Sequence, residues 1–189
     1  MDNRRLIIDS AKRLFWRHGY STTSPKQVMA DSGVGQGSFY HHFPTKPDLG
    51  QEVVRENGRD LLASVRAAMA GLPTGRERLA AFLASAGDAL GGCQIGGFAY
   101  DAGILAEAGL REALGAAFTE LADLLENVVR EAQADGSLSP KLDPAKTAAT
   151  LLAVVEGAFV IARATGRQSS ADNATTGALA LLDGSDVRS

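Results

Sequence analysis

Residues 5–49 read RLIIDSAKRLFWRHGYSTTSPKQVMADSGVGQGSFYHHFPTKPDL. Ile7, Ile8, Ala11, Leu14 and Phe15 recur at helical spacing and Gly19 ends the stripe, which predicts a first helix over residues 4–18. Ser24 followed by Pro25 marks a second helix start. The hydroxyl can cap exposed amides, and proline at the first helical position has no amide hydrogen to leave unsatisfied. That helix closes before Gly33. A third, over residues 36–43, is broken by Pro44. Two short amphipathic helices meeting at Ser32-Gly33-Val34 are what a helix-turn-helix requires, and that motif lays its second helix in the major groove of double-stranded DNA.

The rest of the 189-residue chain has a different character: Ala-rich, acidic and helical in period. Helices are expected over residues 46–70 (Thr45 as cap), 76–90, 98–106, 110–134, 143–165 (Asp143 as cap, Pro144 at the first position) and 171–182, with a polar tail over 184–189. No strand pattern or internal repeat is present, so the fold class is all-α with about nine helices. The net charge of -3 divides unevenly. Residues 1–50 hold seven Lys or Arg against four Asp, giving +3, and the remainder holds 12 basic against 18 acidic, giving -6. A basic reader on an acidic body orients the molecule on phosphate. No long run is free of charge, so no transmembrane helix and no membrane partner are expected. A lone cysteine, Cys93, and the absence of a leader pattern fit a mature chain in a reducing cytoplasm.

The stretch from Arg5 to Val53 resembles the tetracycline-repressor (TetR) family. The residues that carry the resemblance are Ala11, Leu14-Phe15, Gly19-Tyr20, Thr23, Val28, Gly33-Val34, Gly37, Phe39-Tyr40, His42-Phe43, Lys46 and Leu49. It implies a helix-turn-helix DNA-binding domain over residues 1–46 and a helical ligand-binding and dimerisation domain over residues 47–189. It also implies a ligand-responsive transcription regulator, a repressor, that binds a palindromic operator as a homodimer through the eighth and ninth expected helices (8 and 9) and is released by a small-molecule effector. Tyr40, His42 and Lys46 match family positions that hold phosphates. Gly35 departs from the Ser or Thr that often caps the third helix there.

From the residues themselves, Gln36 lies at the end of the third helix that enters the groove, where its amide can pair with adenine. Gly37 lets backbone approach DNA, and Ser38 and His41 are base or sugar contacts. Ser24 and Lys26 sit at a helix start suited to phosphate. Phe39 and Phe43 read as core. For the ligand, Phe82, Phe98, Tyr100 and Ile104 supply apolar walls, with Cys93 and Glu156 as polar candidates. Glu156 stands alone in the apolar run TAATLLAVVEGAFVIA, where a charge needs a partner. No cofactor, metal or catalytic residue is assigned. Gly33-Val-Gly-Gln-Gly37 lacks the Lys-Ser/Thr of a phosphate loop, His41-His42 has no companion metal ligands, and no histidine neighbours Cys93 in sequence. The chain therefore reads as no enzyme. Two other readings stand beside the regulator: a helical interaction module that does not read DNA, and a redox- or electrophile-sensing regulator working through Cys93.

Overall fold

The computed structural model describes residues 2–184 and contains ten α-helices, with no strand among the described residues. The helices are α1 (Asn3–His18), α2 (Pro25–Ser32), α3 (Gln36–His42), α4 (Lys46–Met69), α5 (Gly75–Ala84), α6 (Gln94–Phe98), α7 (Ala102–Ala106), α8 (Ala108–Ala134), α9 (Pro144–Thr165) and α10 (Ser169–Gly184); a 3-10 turn, Ser85–Asp88, follows α5. The eighth and ninth expected helices are thus α9 and α10. Beyond Gly184 the expected tail lies outside the described residues.

Two expectations needed correction. The helix read over 76–90 stops at Ala84, because Gln168 intervenes: its Nε2 donates to Ala86 O (3.1 Å) and its Oε1 accepts from Ala89 N (2.9 Å). The helix read over 98–106 is two helices, and residues 94–97 of the expected Gly-rich break are already helical. The division falls at Asp101, whose carboxylate accepts from Gly103 N and Ile104 N and so starts α7 afresh.

The chain forms two compact units. The first joins Met1–Asp60 to Gln94–Ala117. Its core holds Ile7, Ile8, Ala11, Phe15, Val28, Phe39, Phe43, Leu49 and Val53 from α1 to α4, with Ile95, Phe98, Ile104 and Leu110 from the later segment. Ion pairs bind α1 to α4: Arg4 to Glu52 (3.2 Å), Arg5 to Glu56 (2.9 Å) and Lys12 to Asp60 (2.6 Å).

The second unit joins Leu61–Cys93 to Phe118–Ser189. Leu79, Phe82 and Leu83 of α5 pack with Leu121, Leu125 and Val129 of α8, while Ala158, Ala162, Ala171 and Ala178 let α9 and α10 approach closely. Thr74 and Glu77 cap α5 reciprocally. The first helical residue, Gly75, donates to Asp135 (2.7 Å) and lies so near α8 that a Cβ there would stand 2.4 Å from Ala132 N. Glu156 of α9 is half-buried, and its carboxylate accepts a hydrogen bond from the Cys93 thiol. Burial pushes the Glu156 carboxyl above its usual range, and the thiol contact opposes this only in part.

By length and composition α9 is apolar enough to cross a membrane, with mean hydropathy 1.6 in its best window, of which 33% is buried within the chain. Val160 and Ile161 on α9 and Leu181 on α10 are exposed, Leu181 at 78%. A helix buried in protein can pass the same test of length and composition.

Two outcomes follow from this packing. Gly75→Ala lowers stability by about 1–3 kcal/mol, because the backbone of α8 cannot yield to the new methyl; a rise in melting temperature, the usual result of Gly→Ala in a helix, would show that α5 and α8 do not meet there. Glu156 has its carboxyl raised in the folded state. Its favourable contribution is complete below the unfolded value of about 4.5 and is lost as pH rises through the folded value. Glu156→Gln therefore raises the melting temperature at pH 7 and loses that advantage at pH 4. An equal effect at both pH values would exclude burial as the cause.

Candidate nucleic-acid interface

The turn between α2 and α3 is set by local chemistry. Ser24 caps α2: Gln27 N donates to Ser24 Oγ (3.3 Å), and Ser24 N donates to Gln27 Oε1 (2.7 Å). Gly33 ends α2 in the left-handed region at φ 69°, which an L side chain rarely adopts. Gly35 is the N-cap of α3 and makes no side-chain bond, so the first amides of α3 have no side-chain cap.

α3 has two distinct faces. Phe39 is fully buried and Phe43 nearly so, as read from the sequence. Gly35, Gln36, Gly37, Tyr40 and His41 are exposed, while Ser38 and His42 are half-buried. Tyr40, 41% exposed, sets its ring edge-on to Phe39 with centroids 5.1 Å apart. Ser38 Oγ accepts from Asn3 Nδ2 (3.0 Å), a link from the start of α1 that the sequence did not disclose. Arg4, also missed, lies 5.5 Å from the centroid of the Phe43 ring.

Lys46 turns inward more than its motif position suggests. Its Nζ donates to Ser21 O (3.3 Å) and sits 4.2 Å from the centre of the Tyr20 ring; burial lowers its pKa, with the charge of Asp101 opposing. An ammonium has three donors, so one or more stay available for phosphate. Lys26 is exposed and has no ion pair among the described residues, whereas Arg4, Arg5, Lys12 and Arg13 are each paired with a carboxylate. Three of these partners, Glu52, Glu56 and Asp60, lie in α4 beyond residue 50, so acids of α4 offset the +3 excess of the first fifty residues.

The α1–α2 turn is fastened to the start of α7. Ser21 N donates to Asp101 Oδ2 (2.9 Å), the Ser21 hydroxyl donates to Asp101 Oδ1, and Gly103 N donates to Ser21 Oγ (3.1 Å). Burial alone would raise the Asp101 carboxyl, but the hydrogen bonds from Ser21, Gly103 and Ile104 outweigh it and hold the group below the usual carboxylate range. Asp101 ahead of Ala-Gly-Ile is a helix-start signature that the sequence carried and the reading passed over.

The six residues read as ligand contacts fall in different units. Phe98, Tyr100 and Ile104 belong to the first, and Phe82, Cys93 and Glu156 to the second. Phe82, Phe98 and Ile104 are buried core, whereas Tyr100 is 77% exposed. The second unit has a groove of about 390 Å³ along α9 and α10, bordered by Leu142, Lys146, Leu151, Val154 and Leu181; none of the six residues lines it. Among the described residues no group of three His, Cys, Asp or Glu side chains is placed to hold a metal.

Comparison with known proteins agrees with this geometry. Residues 7–53 match the family model for bacterial regulatory proteins of the tetR family, and residues 75–178 match the tetracyclin repressor-like C-terminal domain. The chain is 30% identical over 168 residues to the HTH-type transcriptional regulator LmrA of Bacillus subtilis, covering 85% of this chain and 86% of that protein. It is 29% identical to the HTH-type transcriptional repressor DhaR of a Mycobacterium species, covering 83% and 80%. A TetR transcriptional regulator from Chloroflexus aurantiacus shares the fold with a TM-score of 0.85 at 24% identity, covering 96% of this chain and 94% of that one. With both of its regions matched, the chain belongs to the TetR family of helix-turn-helix transcriptional regulators.

Proposed function

We propose that this regulator is a cytoplasmic homodimeric repressor. Each α3 reads one half-site of a palindromic operator, and a small, mostly apolar effector taken up by the helical body releases the DNA. The observation that carries the DNA reading is the two-faced α3: apolar anchors on one side, and on the other an exposed surface of Gly35, Gln36, Gly37, Tyr40 and His41. In this reading residues 1–46 read DNA, and residues 47–189 dimerise and take up the effector. Gln36 reads a base, with Ser38 and His41 on base or sugar. Ser24, Lys26, Tyr40, His42 and the spare donors of Lys46 hold phosphates. The similarity to DhaR, a transcriptional repressor, favours repression over activation.

Dimerisation through α9 and α10 is supported by the exposed apolar residues Val160, Ile161 and Leu181, since such patches mark partner surfaces on soluble chains. Two-fold symmetry of the protein then demands two-fold symmetry of the operator. No membrane is involved: α9 is a dimer helix, its apolar length covered by a second copy. Asp101 gives effector binding a route to the reader, because any displacement of α7 pulls directly on the Ser21 turn.

Three measurements test this. Selection from a random DNA pool, followed by titration of Gln36→Ala, should show lost preference at one base position costing about 1–3 kcal/mol; an unchanged selected sequence would remove Gln36 from base reading. Lys26→Ala should weaken binding about equally on all sequences and reduce the salt slope by about one unit. Asp101→Ala should leave a folded dimer whose operator complex resists release by compounds that release the wild type; equal release would show that Asp101 only caps α7.

A further inference from the structure

We infer that Arg4 is a DNA contact that changes partner on binding: in the operator complex its guanidinium leaves Glu52 for a backbone phosphate, and Arg59 keeps Glu52 neutralised. This rests on the DNA reading above. It adds a residue outside the α2–α3 motif and the exchange that frees it.

Contacts with α3 fix where the first turn of α1 lies. Asn3 Nδ2 donates to Ser38 Oγ (3.0 Å), near the start of α3. The Arg4 guanidinium stands 5.5 Å from the ring centroid of Phe43, the residue that closes α3. The turn therefore touches the recognition helix near both of its ends. When α3 lies in the major groove, what flanks it stands over the sugar–phosphate strands. The neighbouring acid, Asp2, is occupied in capping α1, where it accepts from Arg4 N (3.0 Å).

The cations of α1 differ in how many acids they hold. Arg5 and Lys12 share three carboxylates, those of Asp9, Glu56 and Asp60. Arg4 and Arg59 share one, and both meet the same oxygen, Glu52 Oε1, at 3.2 and 3.1 Å. Two guanidinium groups on one carboxylate leave one in excess, so Arg4 can depart without stranding the acid. The Arg4 side chain is 42% exposed, and an ion pair so open to water contributes little, so giving it up costs little. A phosphate offers two oxygens to the paired N–H donors of arginine, whereas Glu52 Oε1 is already divided. The Phe43 ring favours a cation against it whichever anion the guanidinium meets.

The test uses the duplex that the wild type selects from a random pool, with affinity read by fluorescence anisotropy between about 50 and 300 mM salt. Arg4→Gln should weaken binding about tenfold at low salt and lower the salt slope by about one unit per half-site, while melting close to the wild type. Glu52→Gln should do the reverse and tighten binding about threefold per half-site, the worth of an exposed ion pair, because Arg4 then has no competing anion. In an Arg4→Gln background the same Glu52→Gln change should bring no gain. A salt slope unchanged by Arg4→Gln would overturn the exchange and leave the helix-turn-helix reading standing. An equal gain from Glu52→Gln in both backgrounds would reduce it to relief of general repulsion and overturn the exchange as well. Weaker binding by Glu52→Gln would identify the Arg4–Glu52 pair as a brace between α1 and α4, again overturning it. Failure of the wild type to retain any duplex from the pool would count against both readings.

Discussion

The first compact unit is assembled from two stretches far apart in sequence, and beside their shared apolar core one carboxylate bonds across both. Asp101 starts α7 by accepting from Gly103 and Ile104, and with its other lone pairs it takes the amide and hydroxyl of Ser21. Ser21 in turn offers its carbonyl to Lys46 at the head of α4. A single ionised group thus fixes the end of the α1–α2 turn, the start of α7 and, through Ser21, the entry of α4. An ionised carboxylate with several donors forms stronger hydrogen bonds than a neutral acceptor, so this joint is stiff as long as Asp101 is charged. The apolar contacts of Tyr20 against Gly50 and Gly103 surround it.

How far the sequence disclosed this depends on whether a feature is local. The caps at Ser24, Thr45 and Asp143, the turn at Gly33 and the buried Phe39 and Phe43 were legible, because each is settled by residues within one or two turns. Features set by distant partners were hidden. The helix that starts at Gly75 stops early because Gln168, 79 residues beyond Ala89, takes the backbone groups of Ala86 and Ala89. The pairing of Cys93 with Glu156 is likewise invisible to periodicity, and it gives the one charge in the middle of α9 a partner. Asn57 attracted no attention since a polar residue in a long amphipathic helix is ordinarily solvated, yet it is buried at 5% exposure.

Which residues of α3 face outward was legible, with Gln36, Gly37, Tyr40 and His41 exposed and Phe39 and Phe43 buried. A helix-turn-helix is continuous in sequence, so its spacing fixes which side chains share the exposed face. A ligand site collects side chains from helices that no short-range pattern connects, and the aromatic residues Phe82 and Phe98 turned out to be core in separate units.

The pairing of α1 cations with α4 acids has a consequence for how the protein moves about a chromosome. Random DNA attracts a protein through unpaired cations alone, each releasing condensed counterions. Here four arginine and lysine side chains are already neutralised within the fold, and α3 contributes none. Pairing of this kind leaves fewer cations to release counterions from random DNA. A reader built this way would draw its phosphate attraction from few cations, the exposed Lys26 among them, and lean more on shape and neutral hydrogen bonds.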